Sequence, residues 1–398
     1  MATADGIHPC PVWHPVAVAE RHQVLDLVRG FALFGVLLIN LLYFFRLHLF
    51  GHILKFHSHA GMLNQAIDLF AKEFVEFKAF DLFALTFGIG TAIQAERALS
   101  RKRLPEIFLV RRFLVLLLVG TCHMVLVSNV DILMLYAVCG LCVIPLLRLP
   151  APALATAGLA AIFGPSLLGG WDLLPPANAW PDHVAEATRI YATANFTTLV
   201  RYRWHETQGW ILPLLVASAQ QVWGLMLVGA ALWRAGVVEH AGRYRAALWK
   251  CCAVCAVVGL LNTTPDVLAK AGIAIHQLPL LGRLGGDVPL AFAYASTLLA
   301  WRRPDRLTAL PSAVAAAGRM ALTNYLTQSL IFGALFYGYG FQLFGRLDPA
   351  TATALGVTLY GAQLWFSAWW LERYQFGPFE WAWRSATYGR LQPMRRGN

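Results

Sequence analysis

The sequence predicts an all-α fold, a polytopic bundle of about ten transmembrane helices with both the N- and the C-terminus cytoplasmic. Hydrophobic residues make up 58% of the 398 residues and charged residues only 13%, which is about half the charged share of a soluble domain. The mean hydropathy of +0.55 agrees with this. Such a chain has too few charged side chains to cover a surface that faces water.

Ten apolar blocks are long enough to cross a bilayer, which takes about 20 helical residues. We expect helices because a helix pairs its own backbone groups within lipid, and because the blocks lack the alternation of barrel strands. The predicted spans are 27–46, 77–96, 112–129, 131–149, 152–170, 211–234, 245–262, 284–301, 314–338 and 352–372. The predicted segments are a cytoplasmic tail (1–24), an N-terminal transmembrane half (25–170), an extracytoplasmic loop (171–210), a C-terminal transmembrane half (211–372) and a basic cytoplasmic tail (373–398).

The basic residues predict the orientation. Most of the 32 Lys and Arg residues fall on one side of the ten spans when the N-terminus is placed inside, with clusters at 97–112, 234–250, 302–306 and 373–396. This asymmetry is the positive-inside pattern of membrane proteins. The net charge of +11 is therefore a topological signal. It predicts contact with anionic membrane lipids and no nucleic-acid partner.

Ionisable side chains inside the spans indicate candidate sites, because each costs about 2.5–3.5 kcal/mol at mid-helix. In the first span Asp26, Arg29 and Asn40 recur at helical spacing on one face. In the third span Arg112 and His123 share a face and lie about 16 Å apart along the axis. Arginines at two inner helix ends predict an anion site, since guanidinium groups bind phosphate in a forked geometry.

His123 is the candidate general base. Asp131 begins the next span after a short turn, and an antiparallel hairpin would let this carboxylate orient the imidazole. Four further polar side chains are predicted to line the same interior: Tyr136, Gln221, Asn324 and Gln328. For Asn324 and Gln328, hydrogen bonding between helices is an equally good explanation. For Arg111 and Arg112, snorkelling to lipid headgroups is an equally good explanation.

The cysteines do not predict a metal site. The seven cysteines lie almost wholly inside spans, and Cys252 and Cys255 form a C-x-x-C without a second ligand pair. We expect them to pack as small apolar residues, and we predict no bound metal. The first outer loop, 46–77, contains four histidines: His48, His52, His57 and His59.

Six motifs carry a resemblance to a known family. They are LDLVRGFALFGVLLIN (25–40), FDLFALTFGIG (80–90), GTCHMVLVSNVDILMLYAV (120–138), WGLMLVGAALWRAG (223–236), GRMALTNYLTQSLI (318–331) and GPFEWAWRSATYGR (377–390). Together they extend over nearly the whole chain and resemble the YeiB family of bacterial inner-membrane proteins. The resemblance implies a multi-pass protein of the bacterial inner (plasma) membrane.

The resemblance also implies membership of a superfamily of transmembrane acyltransferases, which share the L-D-x-x-R-G opening found here at Leu25–Gly30. Its members move an acyl group, commonly acetyl, from cytoplasmic acyl-CoA to a hydroxyl or amine across the membrane. This implies acetyl-CoA or another acyl-CoA as co-substrate, and an extracytoplasmic or lipid-linked acceptor such as a glycan. In a lysosomal relative the catalytic His lies in the outer loop after the first helix. Either His123 or an outer-loop His is then the base.

Two function classes are favoured by these residues, and a sensory or accessory scaffold is the remaining alternative. In the first, an acyltransferase binds CoA at Asp26, Arg29, Arg111 and Arg112 and carries out transfer near His123, Asp131 and Asn40. In the second, a transporter or flippase uses the same side chains to bind an anionic or lipid-linked small molecule. Transporters often contain inverted repeats, and the sequence has no such symmetry, which favours the enzyme. The sequence does not determine the acceptor or the acyl chain. It also leaves open whether a covalent intermediate forms and whether the protein is a homodimer.

Overall fold

The computed structural model describes residues 23–53, 61–100, 104–167, 175–270, 287–301 and 309–396. Within these ranges the regular elements are helices, and Tyr374 and Arg395 form one isolated β-bridge. The predicted all-α class is therefore confirmed. The first 22 residues and the candidate bases His57 and His59 lie outside the described residues.

The N-terminal half of the chain contains eight described α-helices. They are α1 (Gln23–Ile39), α2 (Leu49–Ile53), α3 (Met62–Phe70), α4 (Lys78–Ser100), α5 (Pro105–Leu126), α6 (Ile132–Val143), α7 (Ala151–Leu167) and α8 (Trp180–Thr193). A π-helical segment, Asn40–Phe45, continues α1, and a second one, Ala71–Val75, continues α3. A 3₁₀ turn, Ile144–Arg148, ends α6.

The C-terminal half contributes α9 (Phe196–Glu206), α10 (Leu212–Arg234), α11 (Arg245–Lys270), α12 (Asp287–Ala300), α13 (Ala309–Arg319), α14 (Ala321–Phe336), α15 (Pro349–Arg373) and α16 (Pro378–Tyr388). A π-helical segment, Thr207–Ile211, joins α9 to α10. The predicted loop 171–210 is thus largely helical where it is described, because α8 and α9 lie within it.

Four described helices are long and apolar enough to cross a membrane: Gln23–Phe45, Pro105–Leu126, Phe196–Arg234 and Arg245–Asn262. This is fewer than the ten spans predicted. One reason is that α4 begins with Lys78 and Asp81. Another is that the predicted span 314–338 is interrupted at Met320. The 16 residues of α14 extend about 24 Å, which is less than the thickness of a bilayer core of about 30 Å.

Glycines let the central helices touch backbone to backbone, as is typical of helix packing in membranes. α10 packs along α4 and α7. A side chain at Gly88 of α4 would collide with the backbone of Met226 in α10. The α4–α10 contact therefore depends on the absence of a side chain at this position.

A second close crossing joins α1 to α13. A side chain at Gly30 would meet the backbone of Val314, and one at Gly318 would meet the backbone of Asp26. Arg29 and Arg319 are each the neighbour of one of these glycines. The crossing therefore brings two arginines from distant parts of the sequence to one place.

The predicted C-terminal tail includes a docked helix. α16 packs against α5 and α14. The indole Nε1 of Trp383 donates to the carbonyl oxygen of Arg112 at 3.0 Å. Glu380 accepts from the backbone N of Thr323 at 3.0 Å and from its Oγ1 at 2.5 Å. α16 therefore closes one end of the bundle beside the start of α5.

Candidate functional site

An arginine-lined cavity of about 1000 Å³, counting its open mouth, lies between α1, α4, α5, α6, α13, α14 and α16. Four guanidinium groups line it: Arg29, Arg112, Arg319 and Arg384. Its positive charge comes from four different helices, so it depends on the fold rather than on a local cluster in the sequence.

The arginines are held in place mainly by backbone and aromatic contacts. Arg29 Nη2 donates to the Thr86 carbonyl oxygen at 3.3 Å, and Arg29 Nη1 lies 3.6 Å from Asp26 Oδ1. The Arg112 guanidinium stacks 3.7 Å above the centre of the Trp383 ring. Nε and Nη2 of Arg319 are buried and have no hydrogen-bond partner among the described residues. These donors remain available to a ligand.

The charges at this cavity do not balance within the described part of the chain. Four guanidinium groups face two carboxylates, Asp26 and Glu380, and the Glu380 carboxylate is bonded to Thr323. Burial lowers the pKa of Arg384 and raises the pKa of Glu380. Charge is costly where water is partly excluded, and an anionic ligand would offset the excess of partly buried cations.

The deep end of the cavity meets a hydrogen-bonded group built around Asp131. Tyr325 lines the cavity, and its hydroxyl donates to Asp131 Oδ2 at 3.3 Å. His123 Nδ1 donates to the same oxygen at 2.7 Å, and the Met134 N–H at the start of α6 donates to Oδ1 at 2.7 Å. Asp131 is fully buried. The short turn between α5 and α6 thus brings His123 and Asp131 together.

This arrangement determines which nitrogen of His123 is available for chemistry. Because a carboxylate only accepts hydrogen bonds, Nδ1 carries the proton that points to Asp131. Nε2 is buried and has no hydrogen-bond partner among the described residues. A carboxylate that fixes the tautomer and orientation of an imidazole leaves the other nitrogen free to accept a proton, as in the Ser-His-Asp arrangement.

Arg111 and Asn40 do not reach the cavity in the described structure, and Asp26, His123 and Asp131 are not among the residues that line it. Arg111 is exposed on the outside of α5, as expected for an arginine that reaches toward headgroups. Asn40 is buried where α1 changes to a π-helical segment. Leu33 and Leu37, which lie between Arg29 and Asn40 on the predicted stripe, are packed in the apolar core. The stripe on the first helix therefore does not continue as a polar channel.

Three predicted amide side chains hold helices together and do not line the cavity. Gln221 donates to Asp81 Oδ1 at 2.9 Å, which joins α10 to α4. Asn324 donates to Ser367 Oγ at 3.0 Å, and Gln328 donates to Gln363 Oε1 at 2.7 Å. Both of these bonds join α14 to α15, as expected for interhelical polar contacts. Tyr136 does line the cavity, and its hydroxyl donates to the Phe80 carbonyl oxygen at 2.6 Å.

Comparisons with known proteins identify the family. The chain is 30% identical to the uncharacterized protein YxaH of Bacillus subtilis (strain 168), over 96% of this chain and 98% of that protein. It is 30% identical to the uncharacterized protein YeiB of Escherichia coli (strain K12), over 92% of this chain and 96% of that protein. The chain belongs to the YeiB family. The family resemblance predicted from the motifs is confirmed.

Two further findings complete the comparison. An uncharacterized 39.9 kDa protein in the amylase 3′ region of Bacillus acidopullulyticus is 29% identical over 96% of this chain and 97% of its own length. Residues 232–390 match the family described as "Protein of unknown function (DUF418)". No solved structure matches the chain. These relatives have no stated activity, so the acyltransferase placement stays a prediction.

Five residues that line the cavity lie in the motifs of this YeiB-family chain but were not predicted as site residues. Arg319 and Tyr325 lie in the motif at 318–331, and Glu380, Trp383 and Arg384 lie in the motif at 377–390. A signal existed for the last three, since their three- and four-residue spacing puts them on one face of a helix. Their arrival at the cavity depends on the docking of α16, which no local pattern shows.

Proposed function

We propose that this chain is a membrane-bound acyltransferase. It would move an acyl group, with acetyl the first candidate, from cytoplasmic acyl-CoA to a hydroxyl or amine of an extracytoplasmic or lipid-linked acceptor, with glycans the favoured class. The observation that carries the proposal is a cavity with four arginines and Tyr325 on its wall, where the Tyr325 hydroxyl donates to Asp131 of the buried Asp131–His123 pair. An anion site thus lies beside a proton acceptor.

The arginines suit the phosphate groups of CoA. A guanidinium binds phosphate through two parallel hydrogen bonds, and Nε and Nη2 of Arg319 have no other partner among the described residues. In this proposal the thioester end of the acyl-CoA extends toward Tyr325, away from the phosphates. The acyl carbon then lies close to the pair formed by His123 and Asp131.

The proposed reaction is direct transfer with general-base catalysis. His123 Nε2 accepts the proton of the acceptor hydroxyl or amine while the acceptor oxygen or nitrogen attacks the thioester carbon. The carbon–sulfur bond then breaks, and the proton leaves with the CoA thiol. Asp131 holds the imidazole in place and stabilises its charged form.

The proposal places the protein in the inner membrane of a bacterium with the arginine end of the cavity toward the cytoplasm. Cytoplasmic acyl-CoA would enter there, and anionic lipids would contact the surrounding basic residues. In this proposal the bundle crosses the membrane about ten times, with interrupted helices such as the one at Met320 buried within the protein, where broken helices are tolerated at membrane depth. Both termini lie on the cytoplasmic side.

The test uses the full chain in lipid nanodiscs and in inside-out vesicles made from its own bacterium, which supply the acceptor. Labelled acetyl-CoA should bind the purified protein, and the vesicles should incorporate the acetyl label. His123→Gln should keep binding and lose transfer, while Arg111→Ala, the exposed neighbour of Arg112, should keep both. Normal transfer by His123→Gln would reject the proposed base. Uptake of a substrate without consumption of acyl-CoA would favour the transporter.

A further inference from the structure

A second group of buried polar side chains lies near the end of α5 that is remote from Arg112. His48 follows the π-helical segment after α1, His183 lies in α8, and Glu206 ends α9. All three are at least nine-tenths buried, with exposed fractions of 4%, 8% and 3%. We call them the His–Glu cluster. They come from three separate parts of the chain, so the fold rather than the local sequence brings them together.

The ligand atoms of the His–Glu cluster converge on one point. Nε2 of His48 lies 2.7 Å and Nε2 of His183 lies 3.0 Å from Oε1 of Glu206, and all three atoms lie within 4.8 Å of one another. In a tetrahedral zinc site with bonds of about 2.0–2.1 Å, ligand atoms are about 3.3 Å apart. The two nitrogen–oxygen distances would have to lengthen by about 0.3–0.6 Å to match those of a zinc site.

Hydrogen bonds within the cluster do not satisfy it. His183 Nε2 lies 3.0 Å from Glu206 Oε1, but the angles of this contact are not those of a hydrogen bond. Buried polar atoms normally have a partner, and an exception calls for an explanation such as a bound ion.

The surroundings hold the three side chains in position. The His183 ring stacks on Trp210, with ring centres 3.8 Å apart and planes at 6°. Oε2 of Glu206 accepts from Asn129 Nδ2 at 2.6 Å and from the Tyr191 hydroxyl at 2.8 Å. Outer partners of this kind orient the ligands of metal sites. They leave Oε1 aimed at the two imidazoles.

We propose that His48, His183 and Glu206 bind a divalent transition-metal ion, with Zn²⁺ the first candidate. Two imidazoles and one carboxylate are a ligand set that zinc uses with a fourth position left for water or substrate. The site would tie the segment after α1 to α8 and α9. No metal was predicted from the sequence. His48 and His183 lie far apart in the chain, and no spacing motif joins them.

The first experiment measures metal in the full chain, purified with an affinity tag that contains no histidine and dialysed after exposure to Zn²⁺. We expect one zinc per chain by mass spectrometry of the metal. His183→Gln and Glu206→Gln should lose it. Asn129→Ala, which removes an outer partner, should weaken binding about 10- to 100-fold. The control is His205→Gln, since His205 is exposed on α9 beside Glu206 and should not affect binding.

A second measurement needs no variant, so that misfolding cannot explain its result. Co²⁺ added to the wild-type chain should produce the visible absorption bands of a four-coordinate site and should compete with Zn²⁺. X-ray absorption of the zinc form should show nitrogen and oxygen ligands at about 2.0–2.1 Å and no sulfur at about 2.3 Å. Wild-type protein without bound metal, or equal loss of metal in His205→Gln, would overturn the proposal. Neither measurement uses acyl-CoA, so the outcome is independent of the proposed enzyme activity.

Discussion

Arg319 gives the sharpest test of the anion cavity. Its Nε and Nη2 are buried and have no hydrogen-bond partner among the described residues, so binding phosphate would not require breaking a bond to protein. A hydrogen bond to a charged group contributes about 1.5–3 kcal/mol net. A loss of about 1.4 kcal/mol of binding free energy weakens affinity tenfold. Loss of one such bond in Arg319→Ala would therefore weaken acetyl-CoA binding about 10- to 150-fold, and loss of both bonds would weaken it further.

The assay is a titration of the purified chain in nanodiscs with acetyl-CoA and with acetyl-pantetheine, which has the thioester but no phosphate. Arg319→Ala should weaken binding of acetyl-CoA and leave binding of acetyl-pantetheine unchanged, because only the first ligand reaches the arginines with phosphate. Arg111→Ala is the matched control, since its side chain is exposed and does not line the cavity. Equal affinity of wild type and Arg319→Ala for acetyl-CoA would refute the reasoning, as would an equal loss in Arg111→Ala.

Three further predictions concern the proton acceptor, the packing and the docked helix. Asp131→Asn should keep acetyl-CoA binding and slow transfer about 10²- to 10⁴-fold in single-turnover assays, the usual contribution of general-base catalysis; an unchanged rate would argue against the pair. Gly88→Val should lower the free energy of unfolding by about 1–3 kcal/mol or more, because the new side chain meets the backbone of Met226. Gly361 faces open space, so Gly361→Val should lower the free energy of unfolding by less. Equal losses in the two variants would contradict this prediction. Because burial raises the pKa of Glu380, the folded chain binds the carboxyl proton of Glu380 more tightly than the unfolded chain does. The resulting stability is present at low pH and is lost as pH rises through the raised pKa. Melting temperatures from pH 5 to 8 should therefore fall more steeply for wild type than for Glu380→Gln, and parallel slopes would contradict this prediction.

Local patterns predicted the helices well, because hydropathy and length are properties of one segment. The predicted span 211–234 corresponds to α10, which runs from Leu212 to Arg234, and the predicted span 245–262 begins where α11 begins, at Arg245. The interruption at Met320 was not predicted. Its backbone angles, φ −105° and ψ 29°, lie outside the helical region, and an apolar run does not show them.

The candidate site was predictable only where one helix or one short turn sets the geometry. Arg112 and His123 share a face of α5, and the turn after α5 joins His123 to Asp131. Asn40 lies on the first helix beyond leucines that pack in the core, so helical spacing from Arg29 was insufficient. Arg384 reaches the cavity through the docking of α16 against α5. Contacts between distant segments have no signature in either segment alone.

The turn between α5 and α6 connects the two proposed sites. Asn129 donates to Glu206, and Asp131, two residues later, accepts from His123. Because one short turn carries both contacts, we expect Glu206→Gln and Asp131→Asn to have non-additive effects on the free energy of unfolding, with a coupling of about 0.5–3 kcal/mol. Glu380 lies in α16, which packs against α5 near Arg112, away from the turn. The effects of Glu206→Gln and Glu380→Gln on the free energy of unfolding should therefore be additive within about 0.5 kcal/mol. Additivity in both pairs would show that the turn transmits nothing between the His–Glu cluster and the proton acceptor.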